Sequence, residues 1–276
     1  MMAAKALWKG SINFAMVSIQ AKLYKATDDK SKQLSFHQYH KGKCGGRIKM
    51  PKTCGKCDKL LDASDIEKGY EVSDTQHLVF TEQDFASLPL KTLKQIEVCE
   101  FVDARAIDTR AITDSYFLTC EDTGAKAFTL FLRAMEQANL VAMAKLTYRE
   151  RERLVCIRAY DGIMLLQTLH YEGEMRSYDD LRPLVAKDAI SEKEMAMASQ
   201  LLETMTAEFD VERDGYGYLV HKYKDEYHEA MERLIEAKMN GKTIEAPDEP
   251  KAPVEDVADA LIASIGLAKA KKAVAA

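Results

Sequence analysis

No run of apolar residues in this 276-residue chain approaches the roughly 18 that a bilayer-spanning helix needs. An integral helical membrane protein is therefore excluded. The N-terminal stretch has no secretory apolar region, because Lys5, Lys9 and Gly10 interrupt it, so a cytoplasmic protein is expected. There is no glycine-rich phosphate loop of the Walker type and no Gly-X-Ser-X-Gly elbow. His170 and His221 have no plausible partner set for nucleophilic chemistry. These absences argue against an enzyme. No internal repeat is visible. Six cysteines are scattered through the chain, and without an export signal they suggest free thiols or a metal site rather than disulfides.

What is present begins with charge. Charged residues make up 30% and the hydrophobic set 47%, ordinary values for a globular protein with a sizeable core. The net charge of −5 argues superficially against nucleic acid, but its distribution does not. Before residue 60 the chain carries Lys5, Lys9, Lys22, Lys25, Lys30, Lys32, Lys41, Lys43, Arg47, Lys49, Lys52, Lys56 and Lys59 against only Asp28, Asp29 and Asp58. The acidic excess lies later, mostly between 188 and 260. Such asymmetry suggests one surface that faces phosphate and another that faces solvent or protein; a purely solvating basic surface is the alternative.

Along the chain, apolar residues alternate at Ile12, Phe14 and Met16, then change phase to Val17, Ile19, Ala21 and Leu23. Alternation marks a half-buried strand, and a slip of one residue predicts a bulge in one long strand over 7–25. Residues 26–60 are polar and interrupted by Gly42, Gly45, Gly46, Pro51 and Gly55. A loop of this length is expected to be functional or internally tied down. Strands are predicted near 77–80, 94–102, 115–119 and 141–148, with Thr81 and Asp84 starting a short helix and a longer helix over 125–138. Leu154–Arg158 and Ile163–Leu169 flank Asp161-Gly162, the signature of a tight hairpin. Ser191-Glu192-Lys193-Glu194 is a capping box ahead of an apolar stripe from Met195 to Phe209. A second helix is predicted over 221–239, ending at Asn240-Gly241. A proline-rich linker over 242–253, a short helix over 254–266 and a disordered tail with Lys269, Lys271 and Lys272 complete the chain. Many short strands followed by an all-helical end give an α+β, mainly β fold: a β-barrel core over 1–188 that includes the basic loop 26–60, a helical extension over 189–241, and a flexible end over 242–276.

One motif carries chemistry of its own. Cys54-Gly55-Lys56-Cys57 directs two thiolates toward one point, as half of a tetrahedral zinc site does. Cys44 is the natural third ligand and His40 the fourth, with His37 as alternate. A loop too polar to hold an apolar core would gain stability from such a structural ion. Free thiols or a vestigial site are the rivals. The second Cys-X-X-Cys that usually completes such a site is missing. Cys99, Cys120 and Cys156 sit in strand-like segments and read as core residues. A zinc-dependent nuclease or hydrolase built on the 37–57 cluster is the competing functional class, and a metal-stabilised protein-interaction module is a third.

Four blocks, taken in order and spacing, resemble the bacterial Ku family. They are Trp8-Lys9-Gly10-Ser11-Ile12 through Leu23-Tyr24; Lys68-Gly69-Tyr70-Glu71 with Thr81-Glu82-Gln83-Asp84, Ile96-Glu97-Val98, Phe101-Val102-Asp103 and Ile107-Asp108; Val141-Ala142-Met143-Ala144-Lys145 with Arg149-Glu150-Arg151-Glu152; and Leu169-His170-Tyr171-Glu172-Gly173-Glu174-Met175-Arg176. The chain departs from the family's pattern at Gln20, where proline is usual, and at Ala15-Met16, where glycine with leucine is favoured. The resemblance implies a Ku-type barrel with an inserted arch loop. It implies a homodimer that closes a ring around double-stranded DNA ends and recruits an ATP-dependent DNA ligase for end joining, beside the nucleoid. It makes Lys25, Lys41, Lys43, Arg47, Lys49, Lys52 and Lys56 the leading phosphate contacts, with Arg149, Arg151 and Arg153 as second candidates. Sequence-blind phosphate neutralisation suits a task in which the broken ends have arbitrary sequence.

Overall fold

Alternating burial along the strands builds the first structural unit. A computed structural model of the protein describes residues 5–28, 34–42, 44–74, 76–88, 94–148, 151–185, 190–206, 223–241 and 257–275. The chain divides into two compact units, Met1–Arg176 and Ser177–Ala276. In the first, seven strands close a barrel: β1 (Trp8–Phe14), β2 (Val17–Lys25), β5 (Gln95–Asp103), β6 (Ile112–Cys120), β7 (Leu140–Tyr148), β8 (Arg151–Tyr160) and β9 (Ile163–Leu169). Their order around the barrel is β1-β2-β6-β9-β8-β7-β5. Neighbours are antiparallel except at the closing seam. There β1 and β5 run parallel, with Ile12 opposite Ile96 and Asn13 Nδ2 donating to Gln95 Oε1 at 2.9 Å. Closure removes the exposed edges that an open sheet of this length would carry.

Ile12, Ile19, Leu23, Ile96, Leu118, Leu146, Ile157, Met164 and Leu166 are fully buried inside. Each contributes about 1.5–3 kcal/mol relative to exposure. The helix α2 (Ala125–Ala138) packs against β2, β7 and β8. Its Phe128, Leu132 and Met135 are buried, and the Phe131 ring stacks on Phe14 with centroids 4.1 Å apart. Asn139, at φ 52°, ends the helix in the left-handed region, which Asn tolerates better than most residues.

The phase change near residue 16 is not a bulge. The predicted long strand is two antiparallel strands, with Phe14 paired to Val17. Ala15 takes φ 51° and Met16 is fully exposed at the tip. A two-residue reversal changes the phase of burial just as a bulge does. Register shifts do occur in the barrel, in β6 between Ile112 and Ser115 and in β5, where the pairing with β7 shifts between Val98 and Glu100. The shift in β5 turns Cys99 outward, so this cysteine is exposed, contrary to its expected core position. Cys120 is half-buried and Cys156 buried. The β8–β9 hairpin turns at Asp161-Gly162 as expected, with φ 47° and 73°.

A separate two-stranded ribbon pairs β3 (Lys68–Ser73) with β4 (Gln76–Phe80). The short helix α1 (Glu82–Ala86) follows it, with Thr81 and Asp84 capping each other. In the second unit α3 (Glu192–Met205) starts at the Ser191–Glu194 capping box, and α4 (Glu226–Met239) is capped by Asp225. Gly241, at φ 67°, follows the end of α4. The helix α5 (Val257–Ala275) packs on α3. It runs through the segment expected to be a tail, which its alanines favour. The expected linker and Phe209 lie outside the described residues. Strand is concentrated in the first unit and helix in the second. Among the described residues no helix is long and apolar enough to cross a membrane.

Candidate nucleic-acid interface

Between β2 and β3 the chain forms no strand or α-helix among the described residues, and the segment 34–61 carries almost no buried side chain. Its polar composition leaves nothing to collapse around. It is shaped instead by backbone hydrogen bonds and by two isolated bridges, Tyr39 with Arg47 and Thr53 with Leu60. Lys41, Arg47, Lys49, Lys52 and Lys56 are all exposed on it. Among the described residues, Lys41, Lys49, Lys52 and Lys56 form no ion pair. Arg47 Nη2 donates to His37 Nδ1 at 3.1 Å, which stiffens the arginine without neutralising it. Lys59 is 3.7 Å from Asp65. Lys43 lies outside the described residues.

The other expected contacts are differently placed. Lys25, in β2, is 3.3 Å from Asp114 of β6, so a carboxylate already faces its ammonium group. Arg149 lies outside the described residues. Arg151 and Arg153 fall on one face of β8, as their spacing requires. Arg151 Nη2 donates to Glu174 Oε1 at 3.4 Å. Arg153 is half-buried, and its Nε is buried with no hydrogen-bond partner among the described residues. Together with Thr113, Glu152, Leu169, His170, Tyr171 and Glu174 the two arginines line a cleft.

In that cleft His170 Nδ1 lies 3.3 Å from Glu174, a spacing of four residues that the sequence displays openly. The backbone N–H of Tyr171 above all, then His170 and the charge of Arg151, hold the Glu174 carboxyl below its ordinary value. Burial, reinforced by Glu152, pushes the Tyr171 phenol up. Lys145 occupies Glu152 at 3.5 Å. The cleft is thus a mixed-charge network in which Glu174 competes with any phosphate for Arg151, whereas Lys41, Lys49, Lys52 and Lys56 face no such competition among the described residues.

The four expected metal ligands fall into two pairs. His40 Nδ1 and Cys44 Sγ lie 3.0 Å apart. In the other pair the backbone N–H groups of Lys56 and Cys57, followed by the Cys57 side chain, hold the Cys54 thiol below its ordinary value. Among the described residues no three His, Cys, Asp or Glu side chains come together as a metal-binding group.

Comparison with known proteins is unambiguous about kinship. Residues 13–197 match the family model of the Ku70/Ku80 beta-barrel domain. A protein of Archaeoglobus fulgidus named non-homologous end joining protein Ku is 37% identical over 265 residues, which span 96% of this chain and 100% of the relative. A protein of the same name from Desulfitobacterium hafniense is 36% identical over 273 residues, 96% of this chain and 89% of that one. The Bacillus subtilis protein of that name is 33% identical over 263 residues, 94% and 81% respectively.

Proposed function

The chain belongs to the Ku family, and from that premise we propose that it binds the ends of double-stranded DNA, without regard to sequence, in repair of breaks by non-homologous end joining. The observation that carries this reading is the loop between β2 and β3, where Lys41, Lys49, Lys52 and Lys56 stand exposed with no carboxylate against them among the described residues. Unpaired ammonium groups release phosphate counterions on binding and read charge, not base edges. The role is one of binding, with no catalytic step assigned to any residue.

The working form is a homodimer that closes a ring. The β3–β4 ribbon supports this: Tyr70, Val72, Leu78 and Val79 are all exposed, and a lone two-stranded ribbon is marginal in water. A second copy of the chain would cover it. The second unit recruits an ATP-dependent DNA ligase through α4 and the residues just before it, where Tyr227 and Tyr223 stand exposed. The protein acts in the cytoplasm beside the nucleoid. Threading onto an end is tested by binding to a linear duplex and to a covalently closed circle of the same sequence. The linear form should bind and the circle should not; equal affinity would overturn the reading. Alanine at Tyr223 and Tyr227 should leave DNA binding intact and remove ligase stimulation.

A further inference from the structure

The cleft at Arg151 and Arg153 lies at one end of the barrel, where β8 begins, β9 ends and β6 begins. Because β2, β6, β9 and β8 alternate in direction, it is also the end at which β2 runs out into the basic loop. The helix α2, which joins β6 to β7, belongs to the opposite end. On β8 the side chains of Val155 and Ile157 are fully buried in the core, and Arg153 falls on the same face. The inward apolar row of the strand therefore finishes in a guanidinium at the barrel mouth. Its Nε is buried with no hydrogen-bond partner, and Arg153 forms no ion pair among the described residues. A buried charged donor left without an acceptor costs stability. Held at the mouth of a cleft of about 180 Å³, it suits an acceptor that arrives from outside. In and beside the cleft the cations Lys145, Arg151 and Arg153 outnumber the carboxylates of Glu152 and Glu174. Lys145 is 3.5 Å from Glu152 and Arg151 is 3.4 Å from Glu174, so the surplus charge is that of Arg153. His170, 3.3 Å from Glu174, adds to it when protonated.

We propose that this cleft binds a phosphomonoester dianion, anchored on Arg153 and completed by Arg151. A guanidinium presents parallel N–H donors that match a pair of phosphate oxygens. Glu174 sets the selectivity. A phosphodiester carries one negative charge, as the carboxylate does, so it gains little by replacing Glu174 on Arg151. A phosphomonoester carries about −1.5 to −2 at neutral pH and has three terminal oxygens, so it can engage both arginines at once. Its attraction to a cleft of net positive charge rises with its own charge. Such a group has two sources, the 5′-terminal phosphate of a DNA end and a small free phosphorylated molecule. The pocket's chemistry is the same for both and does not depend on the DNA-binding reading.

The test is calorimetric titration of the full chain, at fixed ionic strength, with methyl phosphate and with dimethyl phosphate. Methyl phosphate should bind saturably and dimethyl phosphate should not. Arg153→Met and Arg151→Met should each weaken methyl phosphate about tenfold or more. Arg105→Ala, beyond the far end of β5, should not change it. Glu174→Gln should admit dimethyl phosphate and narrow the gap between the two ligands. If Arg153→Met does not fold, Arg151→Met, at an exposed residue, decides together with Glu174→Gln. Fluorescence anisotropy with duplexes whose 5′ ends carry phosphate or hydroxyl then identifies the source. A preference for phosphate that the arginine variants erase assigns the pocket to DNA ends; equal affinity beside intact methyl phosphate binding assigns it to a free ligand. No saturable binding of methyl phosphate, equal binding of dimethyl phosphate, or binding that the arginine variants leave intact would overturn the proposal. A pocket that holds methyl phosphate in a protein with no preference for linear DNA would sink the clamp reading and leave the pocket standing.

Discussion

The barrel and the loop that leaves it are held by different physics. In the barrel, cohesion comes from buried hydrocarbon: a continuous core of Ile, Leu, Val and Met closed by a strand seam and packed against one helix. In the loop, cohesion comes from turn hydrogen bonds and two isolated bridges. The contrast teaches a division of labour. A polar, lysine-rich segment has few residues to give to a core, so its rigidity comes from its turns and from β2, the barrel strand that it leaves. Lys41, Lys49, Lys52 and Lys56, which form no ion pair among the described residues, lie on the loop. Lys25, on a barrel strand, faces Asp114.

The comparison breaks first at the core. Leu118→Ala, at a residue with no exposed surface, should cost about 2–5 kcal/mol, read by urea denaturation. Loop substitutions should leave the barrel transition where it was. Charge reversal comes next. Lys41, Lys49 and Lys52 changed together to Glu should weaken linear-duplex binding for all sequences alike. The slope of log K against log salt should fall by about 0.9 for each phosphate that the protein no longer neutralises, measured by fluorescence anisotropy. Reversal at Lys25 should do less, since Asp114 already compensates that charge. The β1–β2 turn sharpens the comparison on a smaller scale. Ala15 sits at φ 51°, where an L-residue costs about 1 kcal/mol, so Ala15→Gly should raise stability by a few tenths to about 1 kcal/mol, read as a higher Tm.

The smallest effect is electrostatic. Arg105, by its guanidinium and its backbone N–H, holds Asp103 down to about 2 from its ordinary 3.8. A depressed folded-state pKa contributes stability above the ordinary carboxylate value, and that stability is lost as pH falls from there toward 2. The pair is exposed, so its weight is slight. In Arg105→Ala the Asp103 titration followed by NMR should return toward its ordinary value, and the stability difference from the unaltered protein should vanish below about pH 2.

Much of the barrel was legible because burial follows the period of the pleat. Asp161-Gly162 announced its hairpin because both residues tolerate positive φ. Ala15-Met16 announced nothing, since neither is a turn residue, and the reversal passed for a bulge. Cys99 was misplaced because a register shift within β5 cannot be read from alternation alone. Of the candidate interface, the loop lysines were legible as a block of one charge. The neutralisation of Lys25 was not, because its partner stands on another strand, far along the chain.

Encirclement can be tested topologically. The protein would be loaded onto a linear duplex, the ends joined covalently into a circle, and the complex challenged with high salt, which dissolves phosphate contacts but not a closed ring. Protein that stays on the sealed circle and leaves once a nuclease reopens it is the predicted result; release from the sealed circle as fast as from the open duplex would contradict the account.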